Sequence, residues 1–334
     1  MTVKTSRPAI RLAALVLPVA ALAGMTTAAQ AQEWTPTSSI EFIAPANPGG
    51  GWDTLVRTTS RVIQEEGLAE QNFAAINVPG GGGAVAWAQI ARDTGNPHKL
   101  FATSPPIILV PLAGTSQYDH TDFTPIARLI TDYSIVLVPQ DSEYQDLNDL
   151  FDAMRESPNL SVGGGSAPGS MDHIAIAGVA SAAGLEAANV NYIAFSGGGE
   201  AMTSLMGGHV EAVITGAGEA SGQLGPDSDV RALGVSAPER LGGPLADIPT
   251  YQEQGIDYTF DIWRGVMGTP DMPEEAVAYY EELFARMLET DGWAEARDQL
   301  GWLDAYQDSE EFGAFLDAQK EEFSGVLSEL GLIR

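Results

Sequence analysis

Short apolar, β-branched runs recur along the chain. Most are followed by glycine and then by apolar positions at helical spacing. The strand-like runs are 40–44, 73–78, 100–103, 135–138, 160–162, 190–194, 210–214 and 230–235. After the first of them, residues 53–66 place Leu55, Val56, Thr59, Val62 and Ile63 on one stripe, and Gly67 ends the pattern. Strand, loop and helix alternating at this spacing predict an α/β fold with parallel sheets covered on both faces. The C-terminal part reads differently. Asp271-Met-Pro-Glu274 has the form of a capping box, and Val277, Tyr280, Leu283, Phe284, Met287 and Leu288 form the stripe of the helix behind it. Asp308-Ser-Glu-Glu311 opens a last helix carrying Phe312, Phe315, Leu316 and Phe323. The acidic residues between these apolar positions read as solvated helix faces.

Five of the strand-like runs end in loops of small residues. These are Asn47-Pro48-Gly49-Gly50-Gly51-Trp52-Asp53, Pro79–Gly83, Gly163–Ser170, Ser196–Gly199 and Thr215–Gly218. In open α/β sheets the ligand crevice lies off the carboxyl ends of the strands, where such loops gather. Glycine lets backbone approach a ligand closely. Free N–H groups at helix N-termini, with the helix dipole, then favour an anion.

The first 31 residues change the count. Lys4, Arg7 and Arg11 precede a run of 13 apolar residues, Leu12–Gly24, and Ala29-Gln30-Ala31 supplies a small-x-small motif. This is the pattern of a secretory signal cleaved after Ala31, which places the mature protein in the periplasm. The run falls short of the about 20 residues that span a bilayer, and no second candidate follows, so a mature protein without membrane insertion is expected. What remains suits two lobes of about 100–150 residues each. The extended segment Ser134–Val138 and the change of pattern after Trp263 place the lobes at 32–133 with 260–334, and at 134–259.

Charge narrows the partners. Sixteen Lys and Arg face 45 Asp and Glu, a formal net charge of −29, and the leader holds three of the positive charges. Such a chain repels nucleic acid and anionic lipid surfaces. An anionic ligand would have to be held by local dipoles against the field of the whole protein. There is no cysteine, so neither disulfides nor a lipidated cleavage site are possible.

Enzymatic motifs are weak or missing. Gly80–Gly83 fits a dinucleotide fingerprint poorly, no phosphate-binding loop with a Gly-Lys-Ser/Thr ending occurs, and His98, His120, His173 and His209 are scattered. Ser166, Ser170, Asp172 and His173 lie close together, but no Gly-x-Ser-x-Gly elbow surrounds them. Ser170 or Asp172 reads instead as a helix cap, with His173 on the first turn beside the cleft. No cofactor or metal is implied.

Several segments together resemble the substrate-binding proteins of tripartite tricarboxylate transporters. They are Ile43–Asp53, Asn77–Gly83, Gly165–His173, Phe195–Ala201, Met206–Val210, Pro249–Gly255 and Trp263–Pro270. The resemblance covers essentially the whole mature chain. Phe195-Ser196-Gly197 stands where that family often has Tyr-Arg-Gly, and the first loop carries Trp52. The resemblance implies a two-lobe periplasmic binding protein of type II-like architecture, each lobe a sheet flanked by helices with the ligand cleft between. It implies a monomeric receptor that hands a di- or tricarboxylate to a two-component membrane permease. Presentation of the ligand to a signalling partner, or an α/β enzyme, are the alternative functions. The expected ligand contacts are Asn47, Pro48, Gly49, Gly50, Gly51, Asp53, Ser104, Ser166, Ala167, Gly169, Ser170, His173, Gly197, Gly198 and Thr215. Main-chain N–H groups of the 48–51 and 166–170 loops would supply most of the hold, with Asp53 serving its loop as a helix cap.

Overall fold

The computed structural model describes residues 1–3 and 34–329; the expected cleavage point after Ala31 lies outside the described residues. The first half opens with β1 (Ile40–Ala44), α1 (Gly51–Glu65), β2 (Phe73–Asn77), α2 (Ala84–Ile90), β3 (Lys99–Thr103) and α3 (Pro106–Leu112). In α1 the stripe is buried as its spacing requires, and Gly67, at φ +62°, turns the chain while Leu68 N–H donates back to Ile63. The strands β1, β2 and β3 pair in parallel.

The element that organises the rest is β4 (Thr124–Pro139), 16 residues long. Its first part, to Tyr133, lies antiparallel to β9 (Asp261–Gly268), with β10 (Leu303–Gln307) on its other edge. From Ser134 onward the same strand pairs with β7 (Ala212–Gly216) and β8 (Val230–Val235). Beyond β7 come β5 (Ser161–Gly164) and β6 (Asn191–Ala194), both parallel. One strand thus serves two sets of partners and joins the two lobes. Helices α4 (Leu147–Glu156), α5 (Met171–Ala182), α6 (Gly198–Met206) and α7 (Ala217–Ala220) belong to the second set. Helices α8 (Glu274–Leu288), α9 (Asp291–Leu300) and α10 (Ser309–Glu329) follow β9.

Alternation along β4 explains why both faces of the second sheet are covered. Val136 and Val138 join the large core that runs under α4 and α5, while Ile135 and Leu137 join a second cluster with Met202, Leu205 and Val213. Where the strand changes partners, the buried Ser236 hydroxyl accepts from Ser134 N–H at 2.9 Å and donates to Phe260 carbonyl at 2.8 Å. It ties together the two places where the chain passes between the sets of strands.

Three expectations are corrected. The sheet is mixed, because β9 returns antiparallel between β3 and β4. A strand, β9, occupies the region expected to begin the C-terminal helices, and β10 separates α9 from α10. The Asp271 box does not form: the N-cap of α8 is Pro273 with no side-chain bond, and Asp271 itself sits at φ +51°. The last helix does open where expected, and Asp308 accepts from Glu311 N–H at 2.9 Å ahead of α10. Among the described residues no helix is long and apolar enough to cross a membrane.

Helix α10 is held by Phe312, which is fully buried and meets Trp263 edge-on at 5.7 Å. Phe312→Ala is expected to lower stability by about 3–5 kcal/mol in denaturant unfolding, through lost burial and the cavity left behind. A loss within error would mean that α10 does not brace β9.

Candidate functional site

The carboxyl ends of β1, β2, β3, β5, β6 and β7 converge on one cavity of about 270 Å³. Size alone puts it near the lower end of the roughly 300–1,000 Å³ of small-molecule sites. Its walls come from both sets of strands. Gly50, Gly51 and Trp52 begin α1; Gly80, Gly81 and Gly82 follow β2; Ser104 and Pro106 follow β3. Opposite them stand Gly165, Ser166, Ala167, Ser170, Met171 and Asp172 at the start of α5, then Phe195–Gly198 at the start of α6. The rims touch. A methyl group on Gly82 would lie 3.2 Å from Ala167 Cβ, and one on Gly50 would lie 3.9 Å from Gly197 Cα. The loops therefore narrow the mouth of the cavity, which stays partly open to solvent.

At the inner end lies Arg264 of β9, only 2% exposed. Its guanidinium meets Asp132 at 3.0 Å and Glu219 at 3.4 Å. Asp132, on β4 and fully buried, also accepts from the N–H groups of Tyr133 and Gly218. Glu219, on α7, accepts from the Thr215 hydroxyl at 3.2 Å. Glycine is required around this cluster: a side chain at Gly51 would collide with the guanidinium, and one at Gly198 with Glu219 and Thr215. The absence of Cβ at Gly51 lets Arg264 lie against the first turn of α1.

The acids here are held away from their ordinary state. Burial pushes the Asp172 carboxyl up to about 7, and the charge of Glu219 adds to it. The N–H groups of Gly165 and Ser166 and the Arg264 charge oppose that rise without cancelling it. Burial also raises Glu219, against the pull of Arg264 and with a further push from Asp132. Four buried polar atoms on cavity-lining residues have no partner: Trp52 Nε1, Ser170 Oγ, Asp172 Oδ1 and Arg264 Nε. Buried polar atoms are ordinarily bonded, so their concentration at one place marks it as a site that something else completes.

The expected contacts divide accordingly. Gly50, Gly51, Ser104, Ser166, Ala167, Ser170, Gly197 and Gly198 line the cavity. Asn47, Pro48, Gly49, Asp53, Gly169, His173 and Thr215 are not among its lining residues. Asp53 is not the cap of α1, which is Gly50. It lies on the first turn and reaches back to Gly49 N–H at 2.9 Å, while taking Arg57 Nε and Asn77 Nδ2 at 2.8 Å each. Burial alone would raise its carboxyl, but these donors outweigh it and hold it below the usual range. Ser170 occupies the N-cap position of α5 without bonding to it; Ser166 Oγ accepts from Asp172 N–H at 2.7 Å instead. His173 Nδ1 accepts from Gly169 N–H at 2.9 Å, and its ring stacks on Tyr192 at 4.7 Å. Burial favours its neutral form.

Directly across from 49–50 stands the 197–199 loop, while the 166–170 loop meets the 80–82 loop. The residues that sequence reasoning missed are Arg264, Glu219 and, as a lining acid, Asp172. An arginine inside the apolar run Ile262–Met267 was the available signal for the first. Glu219 had none beyond its place just after a glycine loop.

The chain is similar to known proteins. The model of a family described as "Tripartite tricarboxylate transporter family receptor" matches residues 60–332. A protein of Pseudomonas sp. (strain P51), named for the tcbD-tcbE intergenic region, is 28% identical over 297 residues, covering 86% of this chain and 85% of its own length. The periplasmic binding protein BugD superposes with a TM-score of 0.81 at 19% identity, over 89% of this chain and 99% of its own. R. palustris Rpa4515 with adipate superposes with a TM-score of 0.80 at 22% identity, over 89% of this chain and 98% of its own. At such identities the two structures speak to the fold alone.

The raised Asp172 carboxyl has a consequence for stability. Because its folded pKa lies above its unfolded 3.8, the stability it allows is complete below that value and is lost as pH rises to about 7. Asp172→Asn removes this loss. The variant should gain melting temperature relative to the wild type at pH 8 and gain less at pH 5. An equal effect at both pH values would show that Asp172 is ionised throughout.

Proposed function

The chain belongs to the tripartite tricarboxylate transporter receptor family, and from that premise we propose that it is a periplasmic receptor for a small organic di- or tricarboxylate. It delivers this ligand to a two-component membrane permease. The observation that carries the reading is a guanidinium buried at the end of a cavity, facing the N-terminal turns of α1 and α5. These helices are 15 and 12 residues long, enough for their N-termini to favour an anion. Family membership and the adipate held by the R. palustris neighbour support a carboxylate.

In this reading the lobes are 32–133 with 260–334, and 134–259, hinged where β4 changes partners and at Phe260 beside Ser236. One ligand carboxylate lies among the main-chain N–H groups of Gly50, Gly51 and Trp52 near Arg264. A second meets the start of α5, at Ser166, Ala167 and Ser170, with Gly197 and Gly198 closing over it and Ser104 bounding the pocket. Asn47, Pro48, Gly49, Asp53, Gly169, His173 and Thr215 hold these groups in place from behind. A ligand that contacts both lobes favours the closed arrangement, whereas a monocarboxylate satisfies only one. The leader is removed after Ala31, so the exported protein begins at Gln32. Sequencing its N-terminus should read Gln-Glu-Trp, and a start at Met1 contradicts the export route.

A thermal-shift panel of mono-, di- and tricarboxylates tests the ligand class. A dicarboxylate or tricarboxylate present at 100 times its Kd should add about 2.7 kcal/mol of stability. Monocarboxylates should add far less. Tight binding of an uncharged sugar or a polyamine, with no carboxylate active, contradicts the proposal.

A further inference from the structure

The cavity holds more acid than base. Arg264 is the one basic side chain among its lining residues, while Asp172 and Glu219 both line it and Asp132 bonds the same guanidinium. Fully ionised, the cluster would set three negative charges against one positive. A carboxylate ligand adds at least one more negative charge beside side chains that are themselves buried, where unpaired charge is severely penalised. The surrounding groups cannot supply the missing positive charge. His173 is kept neutral by burial and accepts the Gly169 N–H; Tyr192 spends its hydroxyl proton on the Ser166 carbonyl at 2.8 Å. Thr215 and the Gly51, Gly165 and Ser166 N–H groups offer only dipoles.

Asp172 has the geometry of an acid that keeps its proton. It is 2% exposed, and its Oδ1 is buried with no partner. Its neighbours are Glu219 from α7, Arg264 from β9 and Tyr192 from β6. An ionised carboxylate with a bare, buried oxygen is costly, whereas a carboxylic acid can donate from that position to an anion.

Building on the receptor reading, we propose that capture of an anionic ligand takes up a proton from solvent, held by Asp172 or shared with Glu219. A carboxylic acid of the protein then hydrogen-bonds to a carboxylate of the ligand. The proton is the only species gained besides the ligand, and no covalent bond forms between them. Asp172 and Glu219 titrate as a coupled pair, so the uptake belongs to both. They set specificity as well, because a ligand bringing its own cation would need no proton.

Two measurements decide this. In the ligand-free protein, carbon-13 NMR of the side-chain carboxyls should show a group titrating near neutral pH that is missing in Asp172→Asn. If every carboxyl has finished titrating by pH 6, the proposal is overturned whether or not a ligand is found. With adipate, malate and citrate as probes, calorimetry at pH 8 in buffers of different ionisation enthalpy should report about one proton taken up per ligand. Affinity should fall about tenfold per pH unit above neutrality. In Asp172→Asn, whose amide still donates, affinity should hardly change between pH 6 and 8.5. PH-independent binding of these carboxylates to the wild type overturns the proposal. Failure of all three probes to bind counts against the receptor reading, and the NMR titration then still decides the proton.

Discussion

Arg264 carries its charge into the centre of the molecule with 2% of its surface exposed. An isolated ion there would cost several kcal/mol even after relaxation, so its surroundings are constrained to answer it. Asp132 answers from β4, two residues before Ser134 where that strand changes partners, and Glu219 answers from the short helix after β7. Room for the guanidinium requires glycine at 51 and 216, and room for Glu219 requires glycine at 198. One charge therefore requires glycine in three loops and links the two sets of strands near the place where β4 changes partners. Removing Asp132, the nearer of the two acids, would break a buried pair, at a cost of about 3–5 kcal/mol.

The same constraint explains how so acidic a chain receives an anion. Its formal charge of −29 opposes any approaching carboxylate at long range. Within the cavity the long-range field matters less than the groups in contact. There Arg264, the first turns of α1 and α5, and the protonated state of neighbouring acids set the balance. The acid-rich surface and the single buried base are thus parts of one arrangement, in which only a ligand that fits the inner geometry is held.

Much of the scaffold was legible. The stripe of α1, the strands β1, β2, β3 and β8 and the placement of five glycine loops before helices follow from local signals: periodicity, β-branched runs and chain-breaking residues. What local signals could not carry was pairing. Strand β9 is buried along nearly its whole length, so its residues do not alternate, and Gly265 and Gly268 interrupt the apolar run. The first half of β4 contains Pro125, Arg128 and two bulges against β9, which hid a long strand behind a mixed pattern. The chemistry was harder still. Residues 132, 172, 219 and 264 lie far apart in the chain and form one cluster only in the folded protein, so no spacing announces it. Glycine loops say where a ligand can approach; they do not say what waits beneath them.

The central claim is that a ligand carboxylate comes to rest beside Arg264 at the N-terminal turns of α1 and α5. A crystal structure of the receptor grown with a dicarboxylate that binds it tests this directly. The account predicts a carboxylate oxygen within about 3.2 Å of Arg264 or of the N–H groups of residues 50–52, and a second carboxylate near Ser170 and Asp172. A ligand bound at the rim alone, with Arg264 still engaged only by Asp132 and Glu219, would contradict it.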